Sequence, residues 1–163
     1  MPYIHRTTYD IIHIPHPAKL EDIPDWMALL REVKDFFPGL DEADYERQLA
    51  ARIADEEAWV FRFEGRIPAA LLYSKGRKEL DFLAVHPDFR NKGLAAKLVE
   101  TVAAQFPIGT SLSVVTYREG DPAGVGARAF YRALGFVPGE NLEMFGYPCQ
   151  KLTVTVPDGP LGR

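Results

Sequence analysis

Cysteine is almost missing from this chain: Cys149 is the single thiol in 163 residues, so no internal disulfide can form and a reducing cytoplasm is the expected compartment. Excess positive charge is missing too. There are 19 Lys and Arg against 23 Asp and Glu, a net of −4, which leaves no global field to draw in nucleic acid or an anionic membrane. No apolar run approaches a membrane span, and the opening MPYIHRTTYD lacks the apolar stretch of a signal peptide. His13-x-x-His16 has metal-ligand spacing only on a helix, which Pro15 and Pro17 forbid, so no metal is expected. What is present is ordinary for a folded enzyme or binding module: 47% hydrophobic and 26% charged residues, enough for one domain over 1–163 with a substantial core.

Periodicity then predicts alternating strands and helices. Tyr9 to Ile14 reads as a short strand, broken by IPHP; Asp22 is placed to cap a helix whose apolar face carries Ile23, Trp26, Met27, Leu30, Val33 and Phe37. Asp41 is placed to cap a second helix with Tyr45, Leu49 and Ile53 as its buried stripe. AWVFRF (58–63), IPAALLYS (67–74) and ELDFLAV (79–85) follow as three strands joined by tight turns, an expected antiparallel meander. A helix from about Asn91 buries Leu94, Leu98 and Val102. SLSVVTY (111–117) is the next strand, AGVGARAFYRAL (123–134) a helix stopped by Gly135, KLTVTV (151–156) a last strand, and PDGPLGR a mobile tail. Exposed edge strands leave room for a homodimer.

One junction carries chemistry. In AVHPDFRNKGLAAKLVETVAAQF (84–106) an apolar strand stops at His86-Pro87 and a helix restarts with Arg90-Asn91-Lys92-Gly93 in its first turn. Cations there oppose the helix dipole unless an outside anion is present, and unpaired N–H groups at a helix start bind phosphate. Gly93 has no Cβ, so a pyrophosphate can approach the backbone, and Ala95 keeps the next turn narrow. The spacing is Arg, two residues, Gly, one residue, Ala.

VHPDFRNKGLA resembles the acetyl-CoA pyrophosphate loop of the GCN5-related N-acetyltransferases (GNAT), and ARAFYRALGF (127–136) resembles the later helix of that family, which carries a Tyr before a Leu-Gly-Phe turn. The resemblance covers about Tyr9 to Val156. It implies an α/β fold with a mixed, mostly antiparallel central sheet flanked by helices, and acetyl-CoA as cosubstrate. It implies further that Arg90, Asn91, Lys92, Gly93, Leu94, Ala95 and Ala96 hold the pyrophosphate, and that the main chain of Leu83 and Val85 holds the pantetheine arm. Many relatives have an Asn seven residues before the helix Tyr; here that position is Gly124.

The chemistry asks for two more groups. A typical alkylamine, with a pKa near the ~10.4 of lysine, must lose a proton to attack a thioester at neutral pH. Alternation in ELDFLAV places Glu79 and Asp81 on one face, with Leu80 and Phe82 on the other. Asp81, four residues before Val85, resembles the position of a family general base; an exposed strand carboxylate is the alternative reading. Glu119 is the second candidate. By resemblance Tyr131 donates to the departing thiolate, standing at the border of an apolar face made by Phe130, Ala133 and Leu134, and a merely amphipathic Tyr is the alternative. No residue presents itself as a covalent nucleophile, so the expected reaction is direct attack by an amine on acetyl-CoA in a ternary complex. A non-catalytic acyl-CoA-binding sensor or interaction module is the other reading of the same motifs. Cys149 reads as a small core residue.

Overall fold

The computed structural model describes residues 14–162. Of the expected strand Tyr9 to Ile14, residues 9–13 lie outside the described residues, as does His13; the first described strand is β1 (His16–Pro17). There follow α1 (Ile23–Val33), α2 (Glu42–Ala54), β2 (Ala58–Phe63), β3 (Arg66–Ser74), β4 (Glu79–Val85), α3 (Leu94–Ala103), β5 (Ser111–Tyr117), α4 (Val125–Ala133), β6 (Val137–Met144) and β7 (Tyr147–Thr155). The strands make one seven-stranded sheet in the order β1-β2-β3-β4-β5-β7-β6. Every neighbouring pair is antiparallel except β4 with β5. The mixed, mostly antiparallel sheet flanked by helices is therefore the architecture the sequence motifs implied. No helix among the described residues is long and apolar enough to cross a membrane.

Each face of the sheet buries its own cluster. Trp26, Leu30 and Val33 of α1 and Leu49 and Ile53 of α2 pack on Val60, Ala70, Phe82 and Ala84. On the opposite face Leu94, Leu98, Val99 and Val102 of α3, with Tyr131 of α4, pack on Phe61, Leu71, Leu80, Leu112, Val114 and Leu152. Period 3.6 on the helices and period 2 on the strands generate this sandwich. Trp26 resolves its one polar atom by donating from Nε1 to the Tyr45 hydroxyl at 2.8 Å, which ties α1 to α2.

Several local expectations are corrected. Leu80 and Phe82 do not share a face: Leu80 belongs to the α3 cluster and Phe82 to the α1 cluster. The cause is a bulge in β4, where Leu72 faces Phe82 and Tyr73 faces Leu80, so that Asp81 is the extra residue and reverses the alternation. The strand β6 escaped the pattern because VPGENLEM has no alternating apolar face and lies almost wholly exposed at the sheet edge. Its hairpin with β7 turns at Phe145 and Gly146, both left-handed (φ 52° and 75°). Phe37 lies beyond α1, after a 3₁₀ turn over Lys34–Phe36, and stacks against Phe82 with ring centroids 4.8 Å apart. At the C-terminus, expected as a mobile tail, Leu161 is 5% exposed and joins the α3 cluster.

Asp41 caps α2 as expected, accepting from the Asp44 N–H at 3.1 Å. Asp22 does not cap α1. Its carboxylate accepts from Arg62 of β2 through Nε (2.9 Å) and Nη2 (2.6 Å), and from the Lys19 N–H (2.7 Å), fastening the chain before α1 to the sheet. Burial alone would raise the Asp22 pKa, but the Arg62 fork and the Lys19 amide outweigh it and hold the carboxyl below its ordinary value. Because the folded value is depressed, the stabilisation is present above the unfolded carboxylate pKa and lost as pH falls through the folded one. Asp22→Asn should therefore cost roughly 1–3 kcal/mol at neutral pH, the range for a hydrogen-bonded charge. Urea denaturation at stepped pH should show the gap between variant and wild type closing below about pH 4.

Candidate functional site

The parallel pair β4–β5 keeps register only at Glu79 with Ser113 and Leu80 with Val114. Beyond these, β5 follows β7 as far as Tyr117 opposite Cys149, while β4 follows β3 as far as Val85 opposite Ala69. The two strands part, and the main chain of Asp81 to Val85 has no β5 partner. A V-shaped gap opens toward the carboxyl ends of both strands, lined on one side by polar backbone that a ligand can pair.

At the mouth of the V lies the loop singled out in the sequence. His86 accepts from the Asp88 N–H through Nδ1 at 3.1 Å, a 3₁₀ turn spans Pro87–Phe89, and Arg90 is extended. Asn91 and Gly93 are left-handed (φ 61° and 77°), and α3 begins only at Leu94. This corrects the expected helix start near Asn91: Arg90, Asn91 and Lys92 stand ahead of the helix, and its first turn is Leu94-Ala95-Ala96. The first helical bond runs from the Lys97 N–H to the Gly93 carbonyl at 3.1 Å, which leaves the N–H groups of Leu94, Ala95 and Ala96 directed at the loop. A Cβ on Gly93 would meet nothing within 4 Å, so the space above the helix start is open. No acidic side chain stands in that turn. Arg90 places its guanidinium 5.6 Å from the centroid of the Phe36 ring, touching the connection between α1 and α2.

Leu83, Val85 and Ala96 all pack against the cluster that contains Leu94 and Tyr131, so the gap, the loop and α4 meet on one face of the sheet. Tyr131 is more buried than its sequence position indicated. The inward face of α4 is Arg128 and Tyr131, continued by Leu134 beyond its end, whereas Phe130 is half-buried and Ala133 exposed. A spacing of three residues puts Arg128, Tyr131 and Leu134 on one inward stripe. The Tyr131 ring sits edge-on to Phe130 and Phe136 with centroids 5.0 and 5.2 Å away. Burial pushes its phenol pKa well up, so the hydroxyl stays protonated at physiological pH. Gly124 is fixed by sterics: a Cβ there would fall 2.4 Å from the Tyr117 Cβ, so no side chain fits.

The carboxylates divide. Asp81 directs Oδ2 to two guanidiniums, Arg52 Nη2 of α2 at 2.7 Å and Arg77 Nη2 at 2.6 Å. Arg52 also donates to the Tyr73 carbonyl and, through Nε, to Glu57 at 3.2 Å. Glu79, not singled out in the sequence, stands at the closed end of the V. Its carboxyl is pushed above the ordinary range by burial first and then by the Asp81 charge, reinforced by a hydrogen bond between the two carboxyls; Arg77 and Lys151 pull the other way. Sequence alternation already placed it beside Asp81, and only the bulge and the register with Ser113 show that it marks the point of parting. Glu119 is exposed on the loop after β5 and is not brought to these groups.

The acetyltransferase (GNAT) family model matches residues 24–136, more than half of the chain. The chain belongs to the GNAT acetyltransferase family. Among solved structures, a GNAT-family acetyltransferase from Bacillus cereus ATCC 10987 is 15% identical with a TM-score of 0.70, over 87% of this chain and 96% of that one. Ard1 from Thermoplasma volcanium is 18% identical with a TM-score of 0.68, over 88% and 97%. A ribosomal-protein-alanine N-acetyltransferase from Brucella melitensis is 17% identical with a TM-score of 0.64, over 87% and 99%. At these identities the likeness is one of fold. No curated protein matches the sequence.

The electrostatic division between Asp81 and Glu79 is directly testable. In a carbon-detected NMR titration the Glu79 carboxyl should have its midpoint above the ~4.3 of an unperturbed Glu, and Asp81→Asn should move it down by removing the neighbouring negative charge. An unmoved midpoint would leave burial as the sole cause.

Proposed function

We propose that the chain, acting as a single domain, transfers the acetyl group of acetyl-CoA to a primary amine by direct attack in a ternary complex. The observation that carries this is the parting of β4 from β5 beside an open, uncapped helix start flanked by Arg90. The donor set fits the cosubstrate: a pyrophosphate suits the N–H groups of Leu94, Ala95 and Ala96 with the left-handed turns at Asn91 and Gly93, and an extended arm with amide groups suits the unpaired main chain of Leu83 and Val85. Acetyl-CoA supplies an activated acyl group as a thioester.

The residues then divide the work. Glu79 accepts the proton that the amine must lose, either directly or through one water, as its carbon–nitrogen bond forms and the carbon–sulfur bond breaks. Burial, and then the neighbouring Asp81 carboxylate held by Arg52 and Arg77, raise the Glu79 pKa toward the range of a useful base. The base expected at Asp81 thus moves two residues along the strand, and Glu119 has no assigned role. Tyr131 donates its phenolic hydrogen toward the sulfur that leaves. The acceptor enters from the face of α1 and α2, where Tyr117 of β5 donates to the Phe36 carbonyl at 2.7 Å and closes the far wall.

Turnover is tested by incubating the protein with acetyl-CoA and a panel of amines while following free thiol. Glu79→Gln should lower kcat/KM by about 10²–10⁴-fold near neutrality, and the deficit should narrow at alkaline pH, where more of the amine is already neutral. A deficit of equal size at every pH would remove Glu79 from proton transfer. Tyr131→Phe keeps the ring contacts and deletes only the donor, so kcat should fall by about 10²-fold or more with little change in KM for acetyl-CoA or in Tm. An unchanged kcat would leave the hydroxyl without a catalytic part.

A further inference from the structure

A cleft of about 640 Å³ lies apart from the gap between β4 and β5, with walls that include Trp59 of β2, Tyr73 of β3 and Phe106, just beyond α3. All three rings pack on the α3 face of the sheet. Trp59 and Phe106 are half-buried and keep ring surface open to the cleft, whereas Tyr73 is buried and stands edge-on to Phe106 with centroids 5.9 Å apart. The loop at Gly93 is at the other end of α3, a helix about 15 Å long. Neither the loop nor the parting of β4 from β5 contributes to this cleft.

The charges around the rings select the sign of a ligand. Aromatic faces are negative, and Glu56 adds a carboxylate that is exposed on the wall and makes no ion pair among the described residues. Helix α3 ends at Ala103, three residues before Phe106, so the negative end of its dipole is beside the cleft, and no basic side chain stands in its last turn. Lys75 is the one cation on the wall among the described residues, and its Nζ is committed to the Asp55 carbonyl at 2.9 Å, where α2 ends. An ammonium is thus already held at one helix C-terminus here, while the other has none. Tyr73 feels the same field: its phenol pKa is raised by burial first and, against a hydrogen bond from Trp59, by the charges of Glu57 and Glu56.

We propose that this cleft is a second binding site, separate from the catalytic gap, for an organic cation with an alkylated ammonium head, held against the Trp59 and Phe106 rings and the Glu56 carboxylate. Such a head has little water to lose and an apolar shell to bury, which suits rings better than it suits a purely acidic surface. The proposal does not depend on the acetyl-CoA reading of the gap.

The test uses choline and its neutral isostere 3,3-dimethylbutan-1-ol, which has the same shape with carbon in place of the charged nitrogen, read by calorimetry and by the Trp59 indole N–H resonance. Choline should bind at least about 2–5-fold more tightly than the isostere and shift that resonance. Glu56→Gln, at an exposed position, should weaken choline by about 2–5-fold with Tm near wild type. Trp59→Leu keeps an apolar wall without the π face and should reduce the preference for choline over the isostere. Saturating CoA should leave choline binding in place, and a protein that binds choline but not CoA would overturn the acetyl-CoA reading while this site stands. Equal affinity for the two probes, no binding of choline, choline binding that neither variant weakens, or mutual exclusion of choline and CoA would each overturn the second site.

Discussion

One parallel pairing in an otherwise antiparallel sheet sets the geometry of the candidate site. A hairpin can keep two antiparallel strands together over their whole length, but β4 and β5 are joined by a crossover through α3 and hold register at two positions only. On the far side each strand is committed to a strong antiparallel neighbour, β3 for one and β7 for the other. The right-handed twist of two sheet halves pulling in different directions opens the gap. The bulge at Asp81 adds to it, because a strand carrying an extra residue bends and twists more strongly. Backbone polar groups that a closed sheet would have used internally are then left for a ligand.

The same constraint explains why groups distant in the sequence meet. Parallel strands bring their carboxyl ends to one edge, so the helix starts after β4 and after β5 lie side by side. The loop at Arg90 to Gly93, the Tyr117–Gly124 contact and the buried face of α4 are consequences of that edge. Arg90 over Phe36 and Tyr117 bonded to the Phe36 carbonyl join this edge to the connection between α1 and α2, so both sides of the gap are braced against one another.

What the sequence disclosed, and what it hid, follows the range of the interactions. Periodicity located α1, α2, β2 to β5 and α4 because each buries a stripe that recurs at a fixed spacing, and the Arg90 to Ala96 loop was visible because its glycine and cations are contiguous. Alternation puts Leu80 and Phe82 on one face, whereas the fold separates them, because a bulge leaves no trace in composition: nothing in ELDFLAV distinguishes a regular strand from one whose third residue is extra. Glu79 was overlooked for the same reason, since its place at the crotch of the gap depends on Ser113, thirty-odd positions away, and not on its neighbours. The edge strand β6 was hidden because its stabilisation is backbone pairing with β7, to which side-chain pattern contributes little.

Burial and charge act together beside the gap. Asp81 lies on a bulge, and a bulge re-aims the side chain it carries; here it is aimed at Arg52 of α2 and Arg77 of the preceding turn. Both guanidiniums bond to Asp81, and the Glu79 pKa is raised by burial first and then by the Asp81 charge, against the opposing pull of Arg77 and Lys151. The bulge that widens the gap thus also sets the Asp81 carboxylate beside Glu79, where its charge adds to burial, the larger cause, in raising the Glu79 pKa. The raised carboxyl of Glu79 therefore lies at the place where the strands part.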